Sequence, residues 1–257
     1  MNKMDIRPCI SFIGAGNVAW HLASRYHEAG CRVMQVWSRQ RAHAGELAER
    51  VGAEAVVSLK ELVTADVIVV AVRDDAIGEV VRQIDFGDAL VVHTAGSVDA
   101  DVLSGVSSRY GVLWPVQSLV RGQRCGDIPF VVEGVDEPTA AAIEQMARII
   151  SSHVYRLDGR QRRRAHFAAT LVSNFGNAIN ALAEEYMVRG GADFALLRPL
   201  IETTAGKVAG GGLWDKQTGA AARHDEHTMA AHRELLAGDD ELLQLYDLMT
   251  KIIEKRC

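Results

Sequence analysis

Ile10-Ser11-Phe12-Ile13 runs directly into Gly14-Ala15-Gly16-Asn17-Val18-Ala19, and Trp20, Leu22, Ala23 and Tyr26 follow at helical spacing. A buried strand that turns through G-x-G-x-x-A into a helix sets backbone N–H groups and a positive helix end where a pyrophosphate can lie. Ala19 then lets helix and sheet pack closely. Gly14, Ala15, Gly16, Asn17 and Val18 are therefore the expected contacts of a dinucleotide. The next strand ends at Val36-Trp37 and leads into Ser38-Arg39-Gln40-Arg41, with no carboxylate for the ribose hydroxyls. The Ser38 hydroxyl and the planar guanidinium forks of Arg39 and Arg41 suit a 2′-phosphate, which points to NADP(H). In a doubly wound sheet the ligand lies beyond the carboxyl ends of the strands, so Val72, Arg73, Thr94, Gly96 and the loop Pro115-Val116-Gln117-Ser118 should wall the nicotinamide half. His93 is the last residue of its strand and can face either way; a core role is favoured over a site role.

Further along, His166, Thr170, Ser173, Asn177, Asn180 and Glu184 recur at three- and four-residue spacing, with Asn174 at the edge of the stripe. Phe167, Leu171, Phe175, Ala178, Leu182 and Tyr186 form the apolar side. Small amides, hydroxyls and one imidazole fit a cleft or a subunit contact better than a solvated face. His166 is the candidate proton donor to a carbonyl or imine product, since imidazole is the side chain that changes charge near neutral pH. Asn174 and Ser118 are the candidates for holding a polar substrate group. Arg223 and Asp225 serve equally well as a helix-capping pair or as an anion contact. Arg160, Arg162, Arg163 and Arg164 open a helix at its positive end, where cations are unfavourable, and read as a solvated cluster.

These groups need elements to hold them. From Cys9 to about Leu157 short apolar runs alternate with helix-length amphipathic segments, the pattern of strand-helix-strand units around a mainly parallel sheet. Expected strands are Cys9 to Ile13, Arg32 to Trp37, Asp66 to Val72, Ala89 to His93, Gly111 to Trp114, Phe130 to Glu133 and His153 to Leu157, with a helix starting near Pro138. After Asp158 the spacing is helical throughout, over Arg160 to Arg189, Asp193 to Val208, Asp225 to Leu236 and Asp240 to Lys255, with Asp193 and Asp240 as N-caps. The fold class is α/β: a Rossmann-type sheet domain over residues 1–158 and an all-helical domain over 159–257. The chain has 257 residues, 48% of them hydrophobic and 24% charged, with net charge −5, which argues against nucleic acid or an anionic membrane as partner. No apolar run approaches the roughly 20 residues of a membrane span, Met1 to Pro8 lacks an apolar leader core, and Cys9, Cys31, Cys125 and Cys257 form no Cys-x-x-Cys pair. The expectation is a soluble, cytoplasmic protein with free thiols and no metal site.

Gly14-Ala15-Gly16-Asn17-Val18-Ala19, Ser38-Arg39 and Val70-Ala71-Val72-Arg73-Asp74-Asp75 resemble the small NADP-dependent reductases around pyrroline-5-carboxylate reductase and the deazaflavin-dependent NADP reductases. Trp114-Pro115-Val116-Gln117-Ser118-Leu119, His166-Phe167-Ala168-Ala169-Thr170 with Ser173-Asn174-Phe175, and Thr218-Gly219-Ala220-Ala221-Ala222-Arg223-His224-Asp225 extend the likeness. They carry it over nearly the whole chain, to a family with a Rossmann-like first domain and a helical C-terminal domain of unknown function. Two positions depart from that family: Trp114 stands where it places His before the proline, and Ala220 where it places Pro. The more distant β-hydroxyacid dehydrogenases carry a helical lysine where this chain has Thr170, so their acid-base chemistry does not transfer. The resemblance implies an NADP(H)-dependent oxidoreductase that moves hydride to or from a small polar carbonyl, imine or alcohol, with dimerisation through the C-terminal helices. A non-catalytic NADP-binding sensor or scaffold is the alternative, and electron exchange with a deazaflavin a third reading.

Overall fold

The computed structural model describes residues 7–63 and 65–257. Among these, eight strands form one sheet in the order β3-β2-β1-β4-β5-β6-β7-β8. They are β1 (Cys9–Ile13), β2 (Arg32–Trp37), β3 (Glu54–Val56), β4 (Val67–Val70), β5 (Leu90–His93), β6 (Arg109–Pro115), β7 (Phe130–Gly134) and β8 (Val154–Arg156). Pairing is parallel from β3 to β6 and again between β7 and β8, with one antiparallel junction between β6 and β7. The first six strands follow the order of a dinucleotide-binding sheet, and the strand order reverses between β1 and β4. All four residues of β4 are buried, as a strand covered on both faces requires.

The helices of this half are α1 (Asn17–Glu28), α2 (Arg41–Val51), α3 (Ile77–Val81) and α4 (Glu137–Arg148). α1 turns Ala19, Leu22, Ala23 and Tyr26 inward, and α2 turns Ala44, Leu47, Ala48 and Val51 inward, the i, i+3, i+4, i+7 positions of an amphipathic helix. Ile10 and Phe12 of β1 join the apolar cluster that contains these residues, whereas Ile13 joins a second cluster with Ile77, Val80 and Trp114. This division follows from side chains alternating across a strand. α4 begins at an Asp136 cap that accepts the Thr139 N–H at 2.8 Å, with Pro138 in its first turn. The three-residue edge strand β3 lies outside the expected strands; too short to show an alternation, it is held by the Gln35 amide on Glu54 at 2.8 Å as well as by its ladder to β2.

Past Asp158 the described chain is helical, in α5 (Gly159–Thr170), α6 (Gly176–Arg189), α7 (Arg198–Gly206), α8 (Glu226–Leu235) and α9 (Asp240–Glu254). The chain divides into two compact units, one ending at Asn174 and the other spanning Phe175–Cys257. α5 thus goes with the sheet, not with the helices after it, so the division falls sixteen residues beyond the boundary expected at 158/159. The segment expected as one helix from Asp193 to Val208 is 3₁₀ over Phe194–Leu197, α-helical in α7 and 3₁₀ again over Lys207–Gly210. Pro199 sits in the first turn of α7, where a residue without an N–H is tolerated. Asp193 accepts the Ala195 N–H at 2.8 Å as a cap, but the cap of α9 is Asp239 rather than Asp240, accepting the Leu242 N–H at 3.1 Å. Asp240 is instead the first residue of the helix, where a carboxylate also meets the positive end of the dipole.

Candidate functional site

Gly14 leaves β1 with φ +121°, and a Cβ there would collide with the Ala71 carbonyl just beyond β4, so only glycine lets the two strand ends approach. Its N–H donates to the Trp37 carbonyl at 2.8 Å and the Ala71 N–H to Ile13 at 2.8 Å, which ties the ends of β1, β2 and β4 together at the point where strand order reverses. Gly16 is the N-cap of α1; no side chain caps this helix and its first turn holds no acid, so its free N–H groups face outward. A Cβ on Gly16 would meet nothing within 4 Å. A pocket of about 210 Å³ opens here, lined by Gly14, Ala15 and Gly16, by Ser38 and Arg39 after β2, and by Val72 and Arg73 after β4. Trp37, Gln40, His43 and Ala71 complete its wall, beyond the residues that spacing points to; His43 lies in the first turn of α2, where the sequence shows only a helix face.

Among the described residues no carboxylate lines this pocket. Ser38 Oγ accepts the Gln40 N–H at 3.3 Å, and Arg39 is exposed with no side-chain hydrogen bond or ion pair among the described residues. Arg73 instead forms a two-point pair with Asp75 (Nε–Oδ1 3.1 Å, Nη2–Oδ2 2.8 Å), which uses much of its donor set. Arg41 begins α2 outside the pocket lining, as do Asn17 and Val18 on α1 and Thr94 and Gly96 after β5. Arg121, on the loop after β6, reaches back to the glycine turn: Nη2 donates to the Ala15 carbonyl at 2.9 Å, Nη1 pairs with Glu46 at 2.6 Å, and the guanidinium lies 4.2 Å from the Trp20 ring centroid. The main-chain N–H of Arg121 also donates to Asn17 Oδ1 at 3.3 Å. A separation of more than a hundred residues hid this contact from the sequence.

At the carboxyl end of β5, His93 is fully buried, Nδ1 accepting the Ala95 N–H at 3.2 Å and Nε2 facing the Asp99 carbonyl at 3.3 Å. Burial, then the charge of Arg162, pushes its pKa down to about 4, so it stays neutral near pH 7 and serves as a fixed brace of the loop, as favoured from its position. His166 on α5 packs against Trp114 with ring centroids 5.5 Å apart, and a Cβ on Gly96 would collide with His166 and lie 2.7 Å from Trp114 Cε2. Gly96, Trp114 and His166 thus meet in one place. Trp114, just before Pro115, thus puts its indole against His166. The imidazole of His166 is half-buried and has no hydrogen-bond partner among the described residues. Ser118 and Asn174 are exposed and likewise without such partners. Asn174 lies in a π-helical turn, Leu171–Phe175, which spends an extra residue, so a stripe counted at α-helical spacing is out of register beyond it. Asp225 caps α8, accepting the Thr228 N–H at 3.1 Å and its hydroxyl at 2.7 Å, which is the structural role held open for it.

Residues 9–96 match the family model described as NADP oxidoreductase coenzyme F420-dependent, and residues 128–253 match a domain of unknown function (DUF2520). A candidate NADP oxidoreductase from Bacteroides fragilis is 36% identical over 97% of this chain and 99% of its own, with a TM-score of 0.89. The chain belongs to this NADP oxidoreductase family. An imine reductase from Myxococcus stipitatus, solved with NADP+, shares the fold at 16% identity, with TM-score 0.69 and coverage of 96% of this chain and 93% of its own. So does a pyrroline-5-carboxylate reductase from Coxiella burnetii, at 20% identity, TM-score 0.58 and 96% coverage of both chains. No functionally curated protein matches the sequence. The family's cofactor is NADP(H), and the pocket's chemistry fits it: open helix N–H groups for a pyrophosphate, and a hydroxyl and an unpaired guanidinium for a further phosphate. No helix among the described residues is long and apolar enough to cross a membrane.

Proposed function

We propose that this NADP oxidoreductase transfers a hydride between NADP(H) and a small polar carbonyl, imine or alcohol, with the 2′-phosphate at Ser38 and Arg39 and the nicotinamide toward Val72, Arg73, Thr94 and Gly96. The reading rests on one observation above the others: among the described residues, the pocket at the end of β2 is lined by the Arg39 guanidinium, which has no partner there, and by no carboxylate. An acid in that place would bond the ribose 2′-hydroxyl and repel a phosphate. When bound, the cofactor supplies or takes the hydride. The chain's own part is to hold the pyrophosphate on the N–H groups of Gly16 to Val18, with Arg121, paired to Glu46, bracing that turn through the Ala15 carbonyl, and to present His166 as proton donor to the reduced oxygen or nitrogen. Ser118 and Asn174 remain the candidates for holding the substrate's polar group, and the imine and pyrroline-5-carboxylate reductases of the same fold support an imine among the substrates considered.

Calorimetry with both nucleotides tests the cofactor arm: NADPH should bind more tightly than NADH, and Arg39→Ala should cost about ten- to a hundredfold in NADPH affinity while leaving NADH binding nearly unchanged, because a charge-assisted hydrogen bond is worth roughly 1.5 to 3 kcal/mol. Equal affinities for the two nucleotides would remove the 2′-phosphate assignment.

A homodimer through the C-terminal helices belongs to the same proposal. The unit from Phe175 onward leaves Val188, Leu196, Leu200, Val208 and Leu248 exposed, and a groove of about 510 Å³ lined by Ile179, Tyr186, Leu235, Leu242, Tyr246 and Met249 is almost wholly apolar. Unpartnered apolar surface of this kind supports an interface between two copies of the chain. Sedimentation at micromolar concentration should report twice the 28.0 kDa chain mass, and a monomer at every concentration would refute it. The four cysteines are unpaired, which suits a reducing compartment and, with NADPH, the cytoplasm. The competing view, a binding protein without turnover, draws its support from Trp114, which packs on His166 at a position where the resemblance implies a histidine.

A further inference from the structure

By position in its run Arg162 reads as part of a solvated cluster, yet it is the largest fully buried side chain among the described residues. The reason is helical spacing: of the four arginines at 160, 162, 163 and 164, only Arg162 turns onto the sheet, while Arg163 pairs at the surface with Asp99. A capping box fixes the start of α5 one turn earlier, Asp158 accepting the Gln161 N–H at 2.7 Å and Gln161 Oε1 accepting the Asp158 N–H at 3.1 Å. From there Arg162 Nε pairs with Glu133 of β7 at 2.8 Å, and Nη1 donates to the Gly96 carbonyl at 2.7 Å, with the Ala95 carbonyl at 3.4 Å. A buried charge without an opposite partner would be strongly unfavourable, so Glu133 is what allows the guanidinium to sit there.

The loop after β5 is held in every direction. His93 takes the Ala95 N–H, Ser97 Oγ donates to Asp74 at 2.6 Å, and Arg162 draws the Ala95 and Gly96 carbonyls inward. In a planar trans peptide the following N–H points opposite to the carbonyl. The N–H groups of Gly96 and Ser97 are therefore turned away from the guanidinium, and neither has a partner among the described residues. His166 follows Arg162 by four positions, hence on the same helix face, and lies against Gly96. One buried side chain thus sets both the outward N–H pair and the imidazole.

We propose that Arg162, neutralised by Glu133, is a positioning residue for the nicotinamide end of the site: it presents the Gly96 and Ser97 N–H groups to the carboxamide oxygen of the nicotinamide and registers His166 beside them. This rests on the cofactor placement proposed above. The test uses the full-length protein and two ligands, NADPH and adenosine 2′,5′-bisphosphate, which has the phosphates of the adenosine half and no nicotinamide. The double variant Arg162→Met/Glu133→Gln removes both charges, so that no unpaired buried charge is left to unfold the chain. It should bind NADPH about tenfold or more weakly while holding the bisphosphate as the unsubstituted protein does, because misplacing a positioned group costs on that order. Arg162→Lys, which keeps the charge without the planar fork, should fall between the two. Equal losses for both ligands would assign Arg162 to general stability and overturn the inference, and so would unchanged affinity for both. If the unsubstituted protein bound neither ligand, the cofactor placement itself would fall and the inference with it.

Discussion

Gly16→Val should abolish NADPH binding while leaving the melting temperature of the ligand-free protein nearly unchanged. Gly16 adopts φ −78° and ψ −171°, an extended conformation open to any L-residue, and a Cβ there meets no atom within 4 Å. Valine is a poor N-cap, but replacing glycine in that role costs no more than about 1 kcal/mol. What the isopropyl group does fill is the space in front of the α1 N-terminus, where a pyrophosphate must come within hydrogen-bond distance of the main chain. Loss of at least a hundredfold, about 3 kcal/mol, is expected by calorimetry. Gly14 offers no such clean test, because its φ of +121° and the contact with the Ala71 carbonyl mean that any side chain strains the fold itself. A Gly16→Val protein with wild-type NADPH affinity would show that the glycine turn is not the cofactor site.

The parts of this site that could be read from the sequence are those whose partners are near in the chain. The strand, glycine turn and helix from Cys9 to Glu28 form one local unit, and the Ser38-Arg39 turn follows at the next strand end, so both could be found from spacing and residue type. Arg121 and Arg162 could not. Arg121 acts on Ala15, and Arg162 on Glu133 and Gly96, through pairings that only the finished sheet creates. A run of four arginines at the positive end of a helix reads as surface, since nothing in it says which member meets a carboxylate 29 residues earlier. The helix after Arg164 shows a different limit. Periodicity assumes 3.6 residues per turn, and the π turn at Leu171–Phe175 breaks that count, while Phe167, Leu171, Val172 and Phe175 on and beside it are all exposed in this chain. The apolar side that periodicity picks out is therefore found bare in this chain, where burial against a core is the ordinary expectation.

The second large effect is expected at His166. Its imidazole lies against Gly96 and Trp114 at the carboxyl end of β5 and β6, where the nicotinamide half of the cofactor is proposed to reach, and no protein group among those described occupies its ring nitrogens. An imidazole so placed can hand a proton to the oxygen or nitrogen that gains charge as hydride arrives, and such a proton transfer in the transition state is worth about two orders of magnitude or more in rate. His166→Gln keeps a polar side chain of similar reach and loses the transferable proton. With a substrate found by screening small carbonyls and imines against NADPH oxidation, this variant should lower kcat about a hundredfold with nearly unchanged KM and NADPH affinity. A rise in KM alone would make His166 a substrate contact and not an acid. The two functional readings separate in the same experiment, because a binding protein without turnover predicts no NADPH oxidation by the unsubstituted chain with any substrate tried, while the nucleotide still binds and shifts its association or compactness in scattering. Turnover of His166→Gln at the unsubstituted rate across the pH range would instead leave the enzyme standing and take the proton-donor role away from His166, which would then be no more than the ring that Trp114 and Gly96 pack against.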